Sequence, residues 1–252
     1  MVRSARRVRW LFLGMIWLGA SGCGSRDGNS LPTASIPGAG NAGSLAGESG
    51  AAKSAQDALH PTAIIHTSLG DITLKLDAER APISVENFLN YVEQGHYDST
   101  IFHQIQTKPA VIVAGGFDTF QKEKPAGLPI RNEAHNGLKN VRGTIGMARR
   151  PDMIDSSTSQ FYINFADNPQ LDYKPLQSPA DLLGPRRRQV PDPQVGRQSE
   201  EAAAYGYCVF GEVTAGMEVV DRIAKLPVHD VSDELTGVPA EQVVVKWIHI
   251  AR

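Results

Sequence analysis

Apolar positions first settle into a regular pattern near Thr62. Ala63 to Thr67 and Ile72 to Leu76 flank the turn signal Ser68-Leu69-Gly70-Asp71, which predicts a β-hairpin. In its second arm Ile72, Leu74 and Leu76 alternate with polar residues, as a half-buried strand requires. Pro82 stands where a helix can start, Val85, Phe88, Leu89 and Val92 follow at the spacing of one helical face, and Gly95 ends it. A second helix is predicted from Gly216 to Leu226, with Met217, Val220, Ile223 and Ala224 on one face and Pro227 as its stop. The other apolar runs are short and strand-like: Ile101 to Ile105, Val111 to Val113, Thr144 to Ala148, Gln160 to Phe165, Tyr207 to Val213 and Val243 to Ile250. With the hairpin they make about eight strands, and many short strands with turn signals suggest a closed antiparallel barrel, which leaves no edge exposed. The expected fold class is mainly β.

Upstream of the hairpin the pattern fails. Residues 24–61 are rich in Gly, Ala, Ser and Asn and show no apolar period, so they cannot bury enough surface to offset their ordering entropy. They read as a flexible tether. Before them, Arg3, Arg6, Arg7 and Arg9 precede the apolar run Trp10 to Ala20, which is short for a membrane span and suits the core of a signal peptide. The following Ala20-Ser21-Gly22-Cys23 resembles a bacterial lipobox, which implies lipidation at Cys23. The mature protein is then expected to be exported and lipid-anchored on a bacterial membrane, on the periplasmic side, without spanning it. A plain signal peptide with a chance cysteine is the alternative. The expected division is a leader over 1–23, a tether over 24–61 and a folded domain over 62–252.

Composition narrows the function classes. A net charge of -2 and a pI near 6.4 give no electrostatic case for a nucleic-acid partner. There are two cysteines; with Cys23 lipidated, Cys208 is expected to stay a thiol on a buried strand. The histidines are scattered, and His229-Asp230 and Trp247-Ile248-His249 lack the ligand spacing of a zinc site, so no metal is expected. Residues 173–204 break the strand rhythm, with five prolines between Pro175 and Pro193 and the run Arg186-Arg187-Arg188. They read as a surface insertion, the triplet being balanced by Asp181, Asp192, Glu200 and Glu201.

Three segments carry a family resemblance: Ile130 to Arg149, Thr158 to Asn164 and Tyr207 to Val213. Each resembles the corresponding part of bacterial periplasmic cyclophilins. Thr67-Ser68-Leu69-Gly70-Asp71, Ala81 to Phe88 and the pair Phe102-His103 fit in register, so the likeness covers nearly all of residues 62–252. The resemblance implies an eight-stranded barrel capped by two helices. It also implies prolyl cis-trans isomerisation without metal or cofactor, acting on proline-containing peptides or unfolded exported proteins.

That reaction must overcome a rotational barrier of about 18–20 kcal/mol set by amide conjugation. Its catalyst needs an apolar pocket for the proline ring, anchors for the flanking backbone, and a donor aimed at the nitrogen that pyramidalises. The family's donor is an arginine just after Phe-His; here Gln104 follows Phe102-His103. Gln104 is shorter, neutral and lacks the guanidinium fork. Counting back from Gly115-Gly116-Phe117 places Ala110 at a pocket phenylalanine, Val111 at a pocket methionine and Val113 at an anchoring glutamine. Ala148, Tyr162, Leu171 and Tyr207 match the remaining pocket positions, with Gln170 at one that is often aromatic and Phe102 beside them. The expected outcome is weak isomerase activity, with Arg149 or an arginine of 186–188 as alternative donors. A catalytically inactive peptide-binding or scaffold module is the competing reading.

Overall fold

The computed structural model describes residues 58–175, 205–232 and 235–251. The leader with Cys23, the tether up to residue 57 and insertion residues 176–204, with their arginine run, lie outside the described residues. No helix among the described residues is long and apolar enough to cross a membrane.

The strands are β1 (Thr62–Thr67), β2 (Gly70–Leu76), β3 (Thr100–Thr107), β4 (Ala110–Asp118), β5 (Thr144–Met147), β6 (Phe161–Asn164), β7 (Val209–Ala215), β8 (Val228–His229), β9 (Val238–Pro239) and β10 (Val244–Ala251). The helices are α1 (Pro82–Glu93) and α2 (Met217–Ala224). Eight strands close into an antiparallel barrel in the order β1-β10-β3-β4-β6-β5-β7-β2. The first hairpin turns through Ser68 and Leu69, where Thr67 Oγ1 accepts the Leu69 amide and donates to the Gly70 carbonyl.

Inward-facing side chains of the barrel, including Ile65, Ile72, Leu74, Ile112, Ile145, Phe161, Phe210 and Val245, form one core with the apolar faces of both helices. Phe88 of α1 lies 5.3–5.6 Å from the rings of Tyr97, Phe161 and Phe210, which locks this helix against the barrel. No side chain at Ala81 caps α1. Instead the buried Glu133 carboxylate, 49 residues away, accepts the Ser84 amide at 2.8 Å, the Ser84 hydroxyl at 2.7 Å and the Ile83 amide at 3.1 Å. It thereby satisfies donors that a helix start leaves orphaned. Helix α2 begins at Gly216, whose φ is 90° and whose added Cβ would lie 2.2 Å from the Asp71 carbonyl oxygen.

Three details differ from the sequence expectations. Strand β4 runs five residues past Val113, because Gly115 (φ 88°) bends the strand without ending it. The buried face of α2 carries Val219 with Val220 and Ile223, whereas Met217 and Ala224 are only partly buried. The small ribbon of β8 and β9 is additional.

Candidate active site

A second apolar cluster forms apart from the core. Val111 and Val113 of β4, Tyr162 of β6 and Leu171 of the turn Pro169–Leu171 are buried together, with Ala148 and Tyr207 packed against them. Strand alternation explains the separation: Ile112 and Ala114 enter the core, so Val111 and Val113 face the outer wall. Val113 sits opposite Tyr162 on one side and opposite Gln104 on the other, which places the Gln104 side chain on the same face. Six of the pocket residues inferred from the sequence thus come together, with Gln104 beside them.

Three others do not join them. Phe102 is 1% exposed and belongs to the barrel core, so its expected place on the substrate face is corrected: a register shift in β3 between Phe102 and Gln104 puts these two residues on opposite faces. Ala110 is buried at the start of β4 and meets Asn168 through its backbone, donating its amide to Oδ1 (2.8 Å) and accepting Nδ2 (3.0 Å). Gln170 is exposed and donates Nε2 to Asn168 Oδ1 at 3.0 Å.

An amide network supports the cluster from behind. The Tyr162 hydroxyl donates to Asn140 Oδ1, Asn164 donates to Asn140 Oδ1 and Thr144, and Asn168 donates to Asn164. Burial pushes the Tyr162 phenol well above its ordinary range, with Cys208, Tyr207 and Asp172 adding to it, so it remains a neutral donor. Gly146 leaves room for that ring: an added Cβ would lie 2.4 Å from Tyr162 Cζ.

Gln104 is half-buried and donates Nε2 to Thr236 Oγ1 at 3.3 Å. Its neighbour His103 is 4% exposed, its ring tilted 49° against that of Phe117 at 4.6 Å, and burial lowers its imidazole to about 4, so it is neutral at pH 7. Gln160, absent from the sequence inference, hydrogen-bonds His103 and fills the space beside Gly116, where an added Cβ would meet Nε2 at 2.5 Å. Its position inside Ser159-Gln160-Phe161-Tyr162, one residue before the pocket strand, was the available signal. Among the described residues, Arg149 brings a cation to this wall: its guanidinium carbon lies 4.3 Å over the Tyr207 ring and its Nε donates to the Gly206 carbonyl. Its Nη1 serves the carbonyls of Arg150, Pro151 and Met153.

Residues 62–250 match the family described as cyclophilin type peptidyl-prolyl cis-trans isomerase/CLD. The chain belongs to the cyclophilin family. It is 39% identical over 189 residues to peptidyl-prolyl cis-trans isomerase A of Dickeya dadantii (75% of this chain, 84% of that protein). It is 37% identical over 186 residues to peptidyl-prolyl cis-trans isomerase B of Escherichia coli K12 (74% of this chain, 97% of that protein). Among solved structures, a Cryptosporidium parvum cyclophilin type peptidyl-prolyl cis-trans isomerase aligns with a TM-score of 0.54 at 22% identity, covering 77% of this chain and 98% of that one, and shares the fold. By family resemblance this cyclophilin is a peptidyl-prolyl cis-trans isomerase, an enzyme class that acts on proline-containing peptides or proteins.

Proposed function

We propose that this cyclophilin is a slow isomerase of exported proteins that retains peptide binding and lacks the usual transition-state donor. The reading rests on Gln104. It stands on the pocket face opposite Val113, where a guanidinium is expected, and its amide is engaged by Thr236. The cluster of Val111, Val113, Tyr162 and Leu171, walled by Ala148 and Tyr207, supplies an apolar seat for a proline ring. As the peptide bond twists, its nitrogen gains a lone pair and needs a donor. A glutamine amide has one N–H to spare beside the one held by Thr236, but it brings no net charge and no guanidinium fork. Loss of a transition-state donor reduces turnover by about a hundred- to a thousand-fold.

Export and membrane attachment are part of the proposal and rest on the basic, then apolar, leader ending at Cys23. A lipid at Cys23 would hold the domain at a membrane surface, where newly exported chains emerge. The test compares wild type with Gln104→Arg on an X-Pro peptide. Turnover about a hundred-fold or more higher in the variant is expected. Wild-type turnover equal to that of the E. coli B enzyme in the same assay would sink the reading. If neither form turns over while labelled peptide still binds, the chain is a non-catalytic peptide-binding module.

A further inference from the structure

The barrel wall formed by β2, β1 and β10 carries none of the pocket residues, yet it gathers a cluster of polar and aromatic side chains. Antiparallel register places His66 opposite both Asp71 and Trp247, and Ile64 opposite His249, so all five share the outer face. His66 Nδ1 lies 2.8 Å from Asp71 Oδ1, and His66 Nε2 lies 2.9 Å from His249 Nδ1. The two imidazole planes are within 12° of each other, and the half-exposed Trp247 ring packs 4.8 Å from that of His66.

Each part of this arrangement suits a metal ion. A carboxylate only accepts, so Asp71 fixes the His66 proton on Nδ1 and leaves Nε2 as a lone pair facing His249 Nδ1. A carboxylate holding the far nitrogen of a ligating imidazole is the usual outer support of a metal-bound histidine. The two nitrogens are close enough to serve one ion. With metal–nitrogen bonds of about 2.0–2.1 Å, nitrogens held at a right angle stand about 2.9 Å apart, whereas tetrahedral ligands stand about 3.3 Å apart. The observed 2.9 Å is that of a hydrogen bond between the two nitrogens, and turning the exposed His249 ring brings both within reach of one ion. Right-angled imidazole ligation belongs to copper(II) and nickel(II), and copper(II) lies at the top of the affinity order. No group of three or more His, Cys, Asp or Glu among the described residues is placed to hold a metal, so the other positions would be filled by water.

We infer that His66 Nε2 and His249 Nδ1 form a surface site for a copper(II)-type ion, with Asp71 as the outer carboxylate. Without metal, the same two nitrogens share one proton in a hydrogen bond. On binding, that proton leaves His249 Nδ1 for Nε2 of the same ring, and the His249 ring turns so that its freed lone pair meets that of His66 Nε2 at the ion. His249 is exposed and can make this turn, while Asp71 keeps its hold on His66.

Copper(II) added to the full chain tests this by equilibrium dialysis and electron paramagnetic resonance. About one ion per chain is expected, with hyperfine structure from two nitrogens. His66→Ala and His249→Ala should each lower the affinity more than about ten-fold, and Asp71→Asn by about ten-fold through the outer shell. These side chains lie on the outer wall, and unchanged thermal unfolding of each variant shows that the barrel is intact. Uptake that is equal in wild type and the His66→Ala/His249→Ala double variant overturns the site, as does absence of the two-nitrogen signal. Zinc held more tightly than copper(II) overturns the assignment of the ion. Isomerase activity is expected to be the same in all variants, so the outcome is independent of Gln104.

Discussion

Replacing Glu133 with alanine removes the acceptor for three donors at the start of α1, and the structure sets the size of the effect. Ser84 is 1% exposed, so its amide loses the carboxylate at 2.8 Å with no water to replace it. Ile83 is 37% exposed, so its amide can be rehydrated. The Ser84 hydroxyl retains Cys208 Sγ at 3.3 Å as a partner. One fully orphaned buried amide costs about 1–3 kcal/mol, and loss of negative charge at a helix N-terminus adds about 0.3–1 kcal/mol. The expected total is roughly 1–4 kcal/mol, which lowers the melting temperature by about 3–15 °C in a domain of this size. Urea unfolding at pH 7 measures it. Glu133→Gln retains one acceptor oxygen and should lose about half as much. A Glu133→Ala variant within about 0.5 kcal/mol of wild type would show that the carboxylate is not what holds the helix start.

Other perturbations probe the site and its surroundings. His103 titrates at about 4 when folded, against about 6.5 when unfolded, so the unfolded chain takes up the proton first. Stability present at neutral pH should therefore fall by roughly 3 kcal/mol as pH drops from about 6.5 towards 4; a His103→Gln variant with the same pH slope would contradict this. Gly146→Ala drives a methyl into Tyr162 and should cost about 1–3 kcal/mol while weakening peptide binding, read by urea unfolding and peptide titration. Cys23→Ala should move the protein from the membrane fraction to the soluble fraction of its host, and unchanged partitioning would rule out the lipid anchor.

The barrel was legible where local pattern and tertiary environment agree. In β2 the alternation of Ile72, Leu74 and Leu76 is the inward face of the folded strand. Gly115 and Gly116 look like a stop in sequence, yet here they carry the strand past Tyr97 and Gln160, because an added Cβ would strike each. The β8–β9 ribbon left no trace, since two-residue strands have no period to detect. In the site, motif order located Gln104, but only the fold shows that Phe102, two residues earlier, points the opposite way. The Gln104–Thr236 contact spans 132 residues and the His66–His249 contact 183, distances over which side-chain pairing leaves no local signature.

The wall of the pocket is also where the chain leaves the barrel and returns to it. The Tyr207 amide donates to the Leu171 carbonyl at 2.9 Å, and the Tyr173 and Tyr205 rings meet at 5.3 Å. Gly206, at φ 78°, admits no side chain there, since a Cβ would lie 2.6 Å from the Tyr173 amide nitrogen. Both ends of the intervening segment are thus held together by the barrel itself, whatever lies between them. Closure entropy grows only logarithmically, so doubling such a segment costs about 0.6 kcal/mol. This seam is therefore a permissive splice point: a short linker or an entire foreign domain could be exchanged there with little effect on folding. Either would join the fold at Leu171 and Tyr207, two residues of the apolar cluster, rather than at the barrel core.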